Sequence, residues 1–278
     1  MTIKETIKKY STRLKFVTHI PAKEVEILML HLLEQNTIWL HLNYNKEFAF
    51  EKELEKLIKK RETNYPIEYI INKATFYGEN FNVKDGVLIP RPETELLVDN
   101  ALEILKEVNK PVKLLEIGTG SGIISVMLAL LIEDIQIIAV DINEKALELA
   151  KSNAIKHNVE HKIEFRLSNL YENVNEEDIT MTISNPPYIA DDYKLPDNVK
   201  YEPSNALFGG KIGDELLKDI IDQTNERNIE YLLCEMGYDQ KKPLEEYFKN
   251  FETKVSTFYK DYEKFDRGFT LQFKNKKG

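Results

Sequence analysis

Leu114-Leu115-Glu116-Ile117-Gly118-Thr119-Gly120-Ser121-Gly122 is an apolar run carrying one acid and closing on three glycines. It reads as a strand that enters a glycine-rich turn and opens a helix. The glycines let backbone approach a ligand closely, and the unpaired amides at the helix start are hydrogen-bond donors. A dinucleotide fingerprint needs glycine at the first, third and sixth positions. Gly118 and Gly120 satisfy the first two, but Ile123 stands at the sixth, so the NAD pattern fails.

Outward from this turn, apolar runs and amphipathic stretches alternate. Strands are predicted near 112–117, 135–140, 162–166, 179–184 and 229–236, and helices near 121–132, 143–157, 213–226 and 239–250. A last pair of strands is predicted near 254–259 and 268–274. This order predicts an α/β, Rossmann-like fold with a mainly parallel sheet and helices on both faces. A nucleotide-like ligand then belongs at the carboxyl edge of the first strand. The second strand ends in Asp141, about 20 residues past the glycines, where a carboxylate can accept both ribose hydroxyls; its other role would be to cap the following helix. Past the third strand comes Ser168-Asn169-Leu170, in which Asn169 can accept from an adenine amino group through its carbonyl.

The fourth strand ends in Ile183-Ser184-Asn185-Pro186-Pro187-Tyr188. Two prolines remove two backbone donors and hold the chain extended, so Asn185 is presented from a stiff corner beside carbonyls that no local turn consumes. Such a corner can hold an amide or amino group.

Ahead of the α/β segment, residues 1–64 show helical spacing, as in Ile3, Ile7 and Tyr10 or Leu54, Leu57 and Ile58, and predict a small helical bundle. Pro21 suits the first turn of a second helix, and Trp39 reads as core or interdomain packing. From Tyr65 to Pro92 the alternation around Asp85-Gly86 predicts a β-hairpin linker, with the remaining domain over 93–278. Thr94 reads as the cap of a helix that continues through Leu105.

Composition narrows the function classes. The 278 residues are 42% hydrophobic, enough for a sizeable core. A formal net charge of −9 argues against affinity built on neutralising phosphates, and Lys8-Lys9 and Lys59-Lys60-Arg61 read as solvated faces. The single Cys234 excludes an internal disulfide and a multi-cysteine zinc site; within its apolar run it reads as a buried, inert thiol. His157 and His161 read as a solvated loop, and no metal site is expected. With no membrane-length apolar run and no signal-peptide pattern, the expectation is a cytoplasmic protein without membrane contact.

Glu116-x-Gly118-x-Gly120-x-Gly122 resembles the cofactor motif of S-adenosylmethionine-dependent methyltransferases, and Asn185-Pro186-Pro187-Tyr188 resembles the signature of those that act on planar nitrogens. The wider layout resembles the HemK/PrmC family of protein-glutamine methyltransferases. The matching pieces include Pro66-Ile67-Glu68-Tyr69-Ile70, Pro90-Arg91-Pro92-Glu93-Thr94-Glu95, Tyr201-Glu202-Pro203, Ala206-Leu207-Phe208-Gly209-Gly210 and Leu232-Leu233-Cys234-Glu235-Met236-Gly237. The chain differs from the family pattern at Asn169, where an acid is expected, and at Phe208, where the loop is expected to read Asp-Gly-Gly.

The resemblance implies a class I methyltransferase fold with a seven-stranded sheet, S-adenosylmethionine as cofactor and S-adenosylhomocysteine as product. The implied substrate is the glutamine of the Gly-Gly-Gln motif in peptide chain release factors. It assigns Glu116, Gly118, Thr119, Gly120, Ser121, Gly122, Asp141, Asn169, Leu170 and Asn185 to the cofactor, and Asn185 and Pro186 to catalysis. Asn185, Pro186, Pro187 and Tyr188 would hold the substrate, with Arg91 and Glu93 at its opening. Release factors are the implied partners of a monomer, and the helical faces of residues 1–64 suit either recognition of that partner or stabilisation of the enzyme. The competing readings are an amino methyltransferase acting on DNA adenine or a ribosomal RNA base, and a non-catalytic scaffold that keeps the cofactor fold.

Overall fold

The structure, a computed structural model, describes residues 1–109 and 111–274. The chain divides into two units: Met1–Lys73 with Leu195–Tyr201, and the remainder.

The first unit is helical: α1 (Ile3–Leu14), α2 (Pro21–Leu33), α3 (Thr37–Leu42), α4 (Glu51–Arg61) and α5 (Ile67–Ile71). A capping box starts α1, in which Thr2 and Glu5 satisfy each other's backbone N–H groups at 2.9 and 3.2 Å. Pro21 opens α2 at its first position. Tyr10, Leu14, Leu28, Met29, Leu54 and Ile58 form a core whose burial from water is the main driving force of the unit. Trp39 packs against this core.

Two expectations change here. Arg61 does not belong to a solvated face: it is buried, and its guanidinium grips the buried Glu24 at 2.6 and 3.0 Å. Only a paired guanidinium survives burial at modest cost, and helical periodicity alone cannot reveal the partner. Residues 67–71, placed in the β-hairpin linker from sequence, are a helical turn closed by Asn72 in the left-handed region at φ 54°. In the same unit the Tyr201 hydroxyl donates to the Thr63 carbonyl at 2.8 Å, and its ring meets that of Tyr65 edge-on.

The second unit begins with the hairpin β1 (Lys73–Phe76) and β2 (Glu79–Asn82). Its tip is Tyr77-Gly78, not Asp85-Gly86. Both tip residues have positive φ, 53° and 79°, the mirror-image turn that matches the twist of paired strands. There follow α6 (Glu95–Leu105), β3 (Val112–Ile117), α7 (Ile123–Leu131), β4 (Ile135–Asp141), α8 (Glu144–Lys156), β5 (Ile163–Leu167) and β6 (Met181–Ser184). The short strands β7 (Ile189–Ala190) and β8 (Phe208–Gly210) pair with each other, and α9 (Glu215–Glu226), β9 (Tyr231–Glu235), α10 (Lys241–Phe248), β10 (Thr253–Lys260) and β11 (Asp266–Phe273) complete the unit.

The main sheet has seven strands in the order β10-β11-β9-β6-β3-β4-β5. Strands β9, β6, β3, β4 and β5 run parallel, while β11 is antiparallel to β9 and to β10. Apolar residues face both ways. Leu114, Ile137 and Ala139 enter the cluster under α6 and α7, and Leu115, Ile138 and Val140 enter the one under α9 and α10. Two covered faces explain why these strands read as unbroken apolar runs. Because β4 leaves β3 on one side and β6 pairs on the other, the strand order reverses at β3, and a crevice opens beyond the carboxyl ends of β3 and β6. Among the described residues no helix is long and apolar enough to cross a membrane, and no cluster of His, Cys, Asp and Glu is placed to hold a metal ion.

Candidate active site

The crevice is a cavity lined by the glycine turn, the end of β4 and the corner after β6. The turn is anchored first. Gly118 and Thr119 donate their N–H groups to the Val140 carbonyl at 2.9 and 3.0 Å, and Gly120 donates to Asp141 Oδ2 at 2.9 Å. Gly118 and Gly120 have positive φ, and a Cβ at either would project into open space, so the missing side chains are what leaves the cradle open. Gly122 has a different job. A Cβ there would lie 2.9 Å from Ala150 Cβ, so this glycine permits close packing of the turn on α8, and it does not line the cavity.

Glu116 lies at the floor, fully buried. Its Oε2 accepts from Thr119 Oγ1 at 2.8 Å, from the Ser125 N–H at 3.2 Å and from Ser125 Oγ. Its Oε1 is buried with no hydrogen-bond partner among the described residues. Burial pushes this carboxyl up to about 7, against the pull of the Ser125 and Thr119 donors. An orphaned acceptor of this kind is suited to a cationic or N–H-bearing ligand.

Asp141 ends β4 half-buried. Its Oδ1 accepts from the Asn143 N–H at 2.9 Å and its Oδ2 from Gly120, and the Ile142 N–H also favours its charged form. Burial raises its pKa, opposed by these backbone donors. The helix-capping role belongs to Asn143, whose side chain accepts from the Lys145 N–H at 3.0 Å. Asn169 is exposed at the rim, and its Nδ2 donates to Glu172 Oε1 at 2.9 Å, while its Oδ1 accepts no hydrogen bond from the described residues. Leu170 lines the cavity in the left-handed region at φ 48°.

On the other wall, Ser184 Oγ donates to the Ile117 carbonyl at 2.8 Å and fixes the end of β6 against β3. The next residue is Asn185. Its Nδ2 donates to Thr94 Oγ1 at 3.0 Å, and Thr94 in turn donates to Glu235 Oε2. Asn185 Oδ1 and the Pro186 carbonyl accept no hydrogen bond from the described residues. Thr94 is therefore not the helix cap that its position suggested; no cap bond is made by its side chain.

The remaining predicted residues divide. Arg91 and Pro187 line the cavity, but the Arg91 guanidinium is already committed to Glu202 Oε1 at 2.5 Å, and Glu202 Oε2 also accepts from the Ile89 N–H at 3.0 Å. Glu93 and Tyr188 are not part of the cavity wall. Tyr188 packs on the apolar cluster beneath α9 and α10, and its carbonyl accepts from Gln240 Nε2 at 3.0 Å. His157 is no solvated residue: its ring sits 4.8 Å from Phe81, and Nε2 meets the Asn80 carbonyl at 3.2 Å. Cys234 is buried, as its apolar run predicted.

Thr94, Glu235, Glu202 and Ser125 were not singled out for chemistry from sequence. Glu235 carried one signal, an acid ending an otherwise apolar strand, much as Glu116 stands one residue before the end of β3.

A family model described as the PrmC N-terminal domain matches residues 5–71, and one described as the methyltransferase small domain matches residues 93–200. A release factor glutamine methyltransferase of Aquifex aeolicus (strain VF5) is 34% identical over 271 residues, covering 95% of this chain and 93% of that protein. A protein of the same name from Dictyoglomus turgidum (strain DSM 6724 / Z-1310) is 38% identical over 253 residues, with 86% of each chain covered. Among solved structures, the hMettl16 catalytic domain aligns with a TM-score of 0.57 at 15% identity, over 70% of this chain and 76% of that one, a likeness of fold.

Proposed function

The chain belongs to the release factor glutamine methyltransferase family, and from that premise we propose the reaction and the roles of its residues. It transfers a methyl group from S-adenosylmethionine to the side-chain amide nitrogen of the glutamine in the Gly-Gly-Gln motif of peptide chain release factors.

The observation that carries this reading is the state of Asn185. One N–H of its amide is held by Thr94, which leaves Oδ1 as an acceptor on a residue that lines the crevice, and the Pro186 carbonyl is a second one. Two acceptors from a stiff corner match the two N–H bonds of a primary amide. Holding both aligns the nitrogen and favours the positive charge that develops on it as the new C–N bond forms. The S–CH3 bond breaks with its electron pair returning to sulfur, and the nitrogen then gives up one proton to water.

The residues around the glycine turn fit the cofactor. Gly118 and Gly120 leave the space for it, Glu116 Oε1 would supply an acceptor to its methionyl part, Asp141 would hold the ribose hydroxyls, and Asn169 Oδ1 would accept from the adenine amine. The sulfonium supplies a methyl group that is already activated. Positioning and electrostatics then carry the catalysis, and Arg91, clamped to Glu202, shapes the opening as part of its wall.

The test is transfer of labelled methyl to a purified release factor, to the same factor with the loop glutamine replaced, and to DNA and RNA. Label on the release factor that vanishes with the glutamine is expected. Label on nucleic acid alone would replace this reading with the amino-base one.

A further inference from the structure

Behind Asn185 stand two groups that the reaction above does not use. Thr94, in the turn before α6, and Glu235, at the carboxyl end of β9, are each 1% exposed, and they are 141 residues apart in the chain. They form a single file: Asn185 Nδ2 donates to Thr94 Oγ1 at 3.0 Å, and Thr94 Oγ1 donates to Glu235 Oε2.

A threonine hydroxyl has one proton, and an ionised carboxylate has none to give. While Glu235 is charged, the Thr94 proton is committed to it and Oγ1 can only accept. The Asn185 amide must then point its nitrogen inward and its oxygen at the crevice. A protonated Glu235 can instead donate to Oγ1. The Thr94 proton is freed toward Asn185, and the amide can turn, putting a donor where the substrate needs an acceptor.

We propose that Thr94 and Glu235 are positioning residues that lock the Asn185 amide with Oδ1 toward the substrate nitrogen, and that protonation of Glu235 releases the lock. The catalytic consequence rests on the reading of Asn185 as the amide holder.

The surroundings of Glu235 suit a switch. Arg267 on β11 and Arg91 before α6 favour its charged form, Glu93 opposes it, and Tyr259 on β10, Cys234 on β9 and Tyr188 are its neutral titratable neighbours. Burial outweighs the Thr94 bond and the arginines and pushes its carboxyl up to about 7. Because the charged form is the locked form, turnover rises with pH through that value.

The test compares wild type with Thr94→Val, Thr94→Ser and Glu235→Gln. It reads kcat and KM for release factor against pH, together with the side-chain amide resonance of Asn185 in 15N-labelled protein. Thr94→Val is expected to lower kcat about 10- to 100-fold with a smaller change in KM for release factor, the size of one lost buried hydrogen bond. Thr94→Ser, which keeps the hydroxyl, restores it. Glu235→Gln loses the acid limb of the kcat profile. The Asn185 resonance should titrate near pH 7 in wild type and stay flat in Thr94→Val and Glu235→Gln. A resonance indifferent to pH in wild type, an acid limb that survives in Glu235→Gln, or full kcat in Thr94→Val overturns the lock while methylation of the release factor stands. A titrating resonance in a protein that methylates no release factor sinks the functional reading and leaves the lock in place.

Discussion

At the scale of single residues, the two ends of the Asn185 amide are opposite in function and nearly identical in shape, so its role depends on what holds it. Asn185→Ala removes the contact proposed with the reacting group. It is expected to keep S-adenosylmethionine affinity within about tenfold and to lose most of kcat, measured by calorimetric titration alongside single-turnover transfer. Normal turnover in that variant would remove the corner from the mechanism. The corner itself was legible, because two prolines in succession leave few conformations for the residue before them. Its supports were not. Thr94 looked like a cap because a threonine ahead of an apolar periodic run commonly is one, and only the arrival of Glu235 from β9 diverts its hydroxyl.

At the scale of elements, the glycine turn contains two kinds of glycine that the sequence writes alike. Gly122→Ala places a methyl against Ala150 at 2.9 Å on a backbone at φ 80°. Strain and overpacking together are expected to destabilise by roughly 2–4 kcal/mol, read as a lower urea midpoint. Gly118→Ala meets no atom within 4 Å but stands at φ 71° and fills the cradle. It is expected to weaken cofactor binding by at least tenfold for a backbone cost of about 1–2 kcal/mol. Equal effects on both measurements would erase the distinction. A second element-scale device is Asn153 on α8, whose Nδ2 donates to the Ser121 carbonyl at 2.8 Å and to the Asn82 carbonyl at 3.0 Å while its Oδ1 accepts from the Asn82 N–H at 2.8 Å. That buried amide ties the turn to β2, and all of its partners lie outside its own helix.

At the scale of the whole molecule, stability depends on pH through the buried carboxyls. Glu116 is raised from its ordinary 4.5 to about 7 by burial, so between those values the folded protein binds more protons than the unfolded one. The linkage slope is then negative, and its share of stability falls as pH rises through that window and levels off above it. The fall is on the order of 3 kcal/mol at most. Urea titrations of wild type and Glu116→Gln should therefore diverge across that window, because Glu235 contributes a like loss to both and only wild type adds the Glu116 share. Parallel curves would mean that Glu116 stays charged in the folded state throughout. Binding of S-adenosylhomocysteine to the folded protein alone is the expected outcome and would raise the melting temperature; at about a hundredfold excess over Kd the gain is about 2.7 kcal/mol.

The sequence by itself determined the alternation of elements, the parallel sheet, the glycine turn, Asp141, the Asn-Pro-Pro-Tyr corner and the family. Each of these is written in local order, as a periodicity, a turn residue or a restrained backbone, and so survives reading along the chain. Only the tertiary structure decided which charges are buried and what each side chain bonds. It paired Arg61 with Glu24, turned Gly122 toward Ala150, drew Tyr188 into the core, closed Arg91 onto Glu202 and set Thr94 between Glu235 and Asn185. A buried polar group needs a partner wherever the fold can bring one, and nothing in local spacing records a partner more than a hundred residues away.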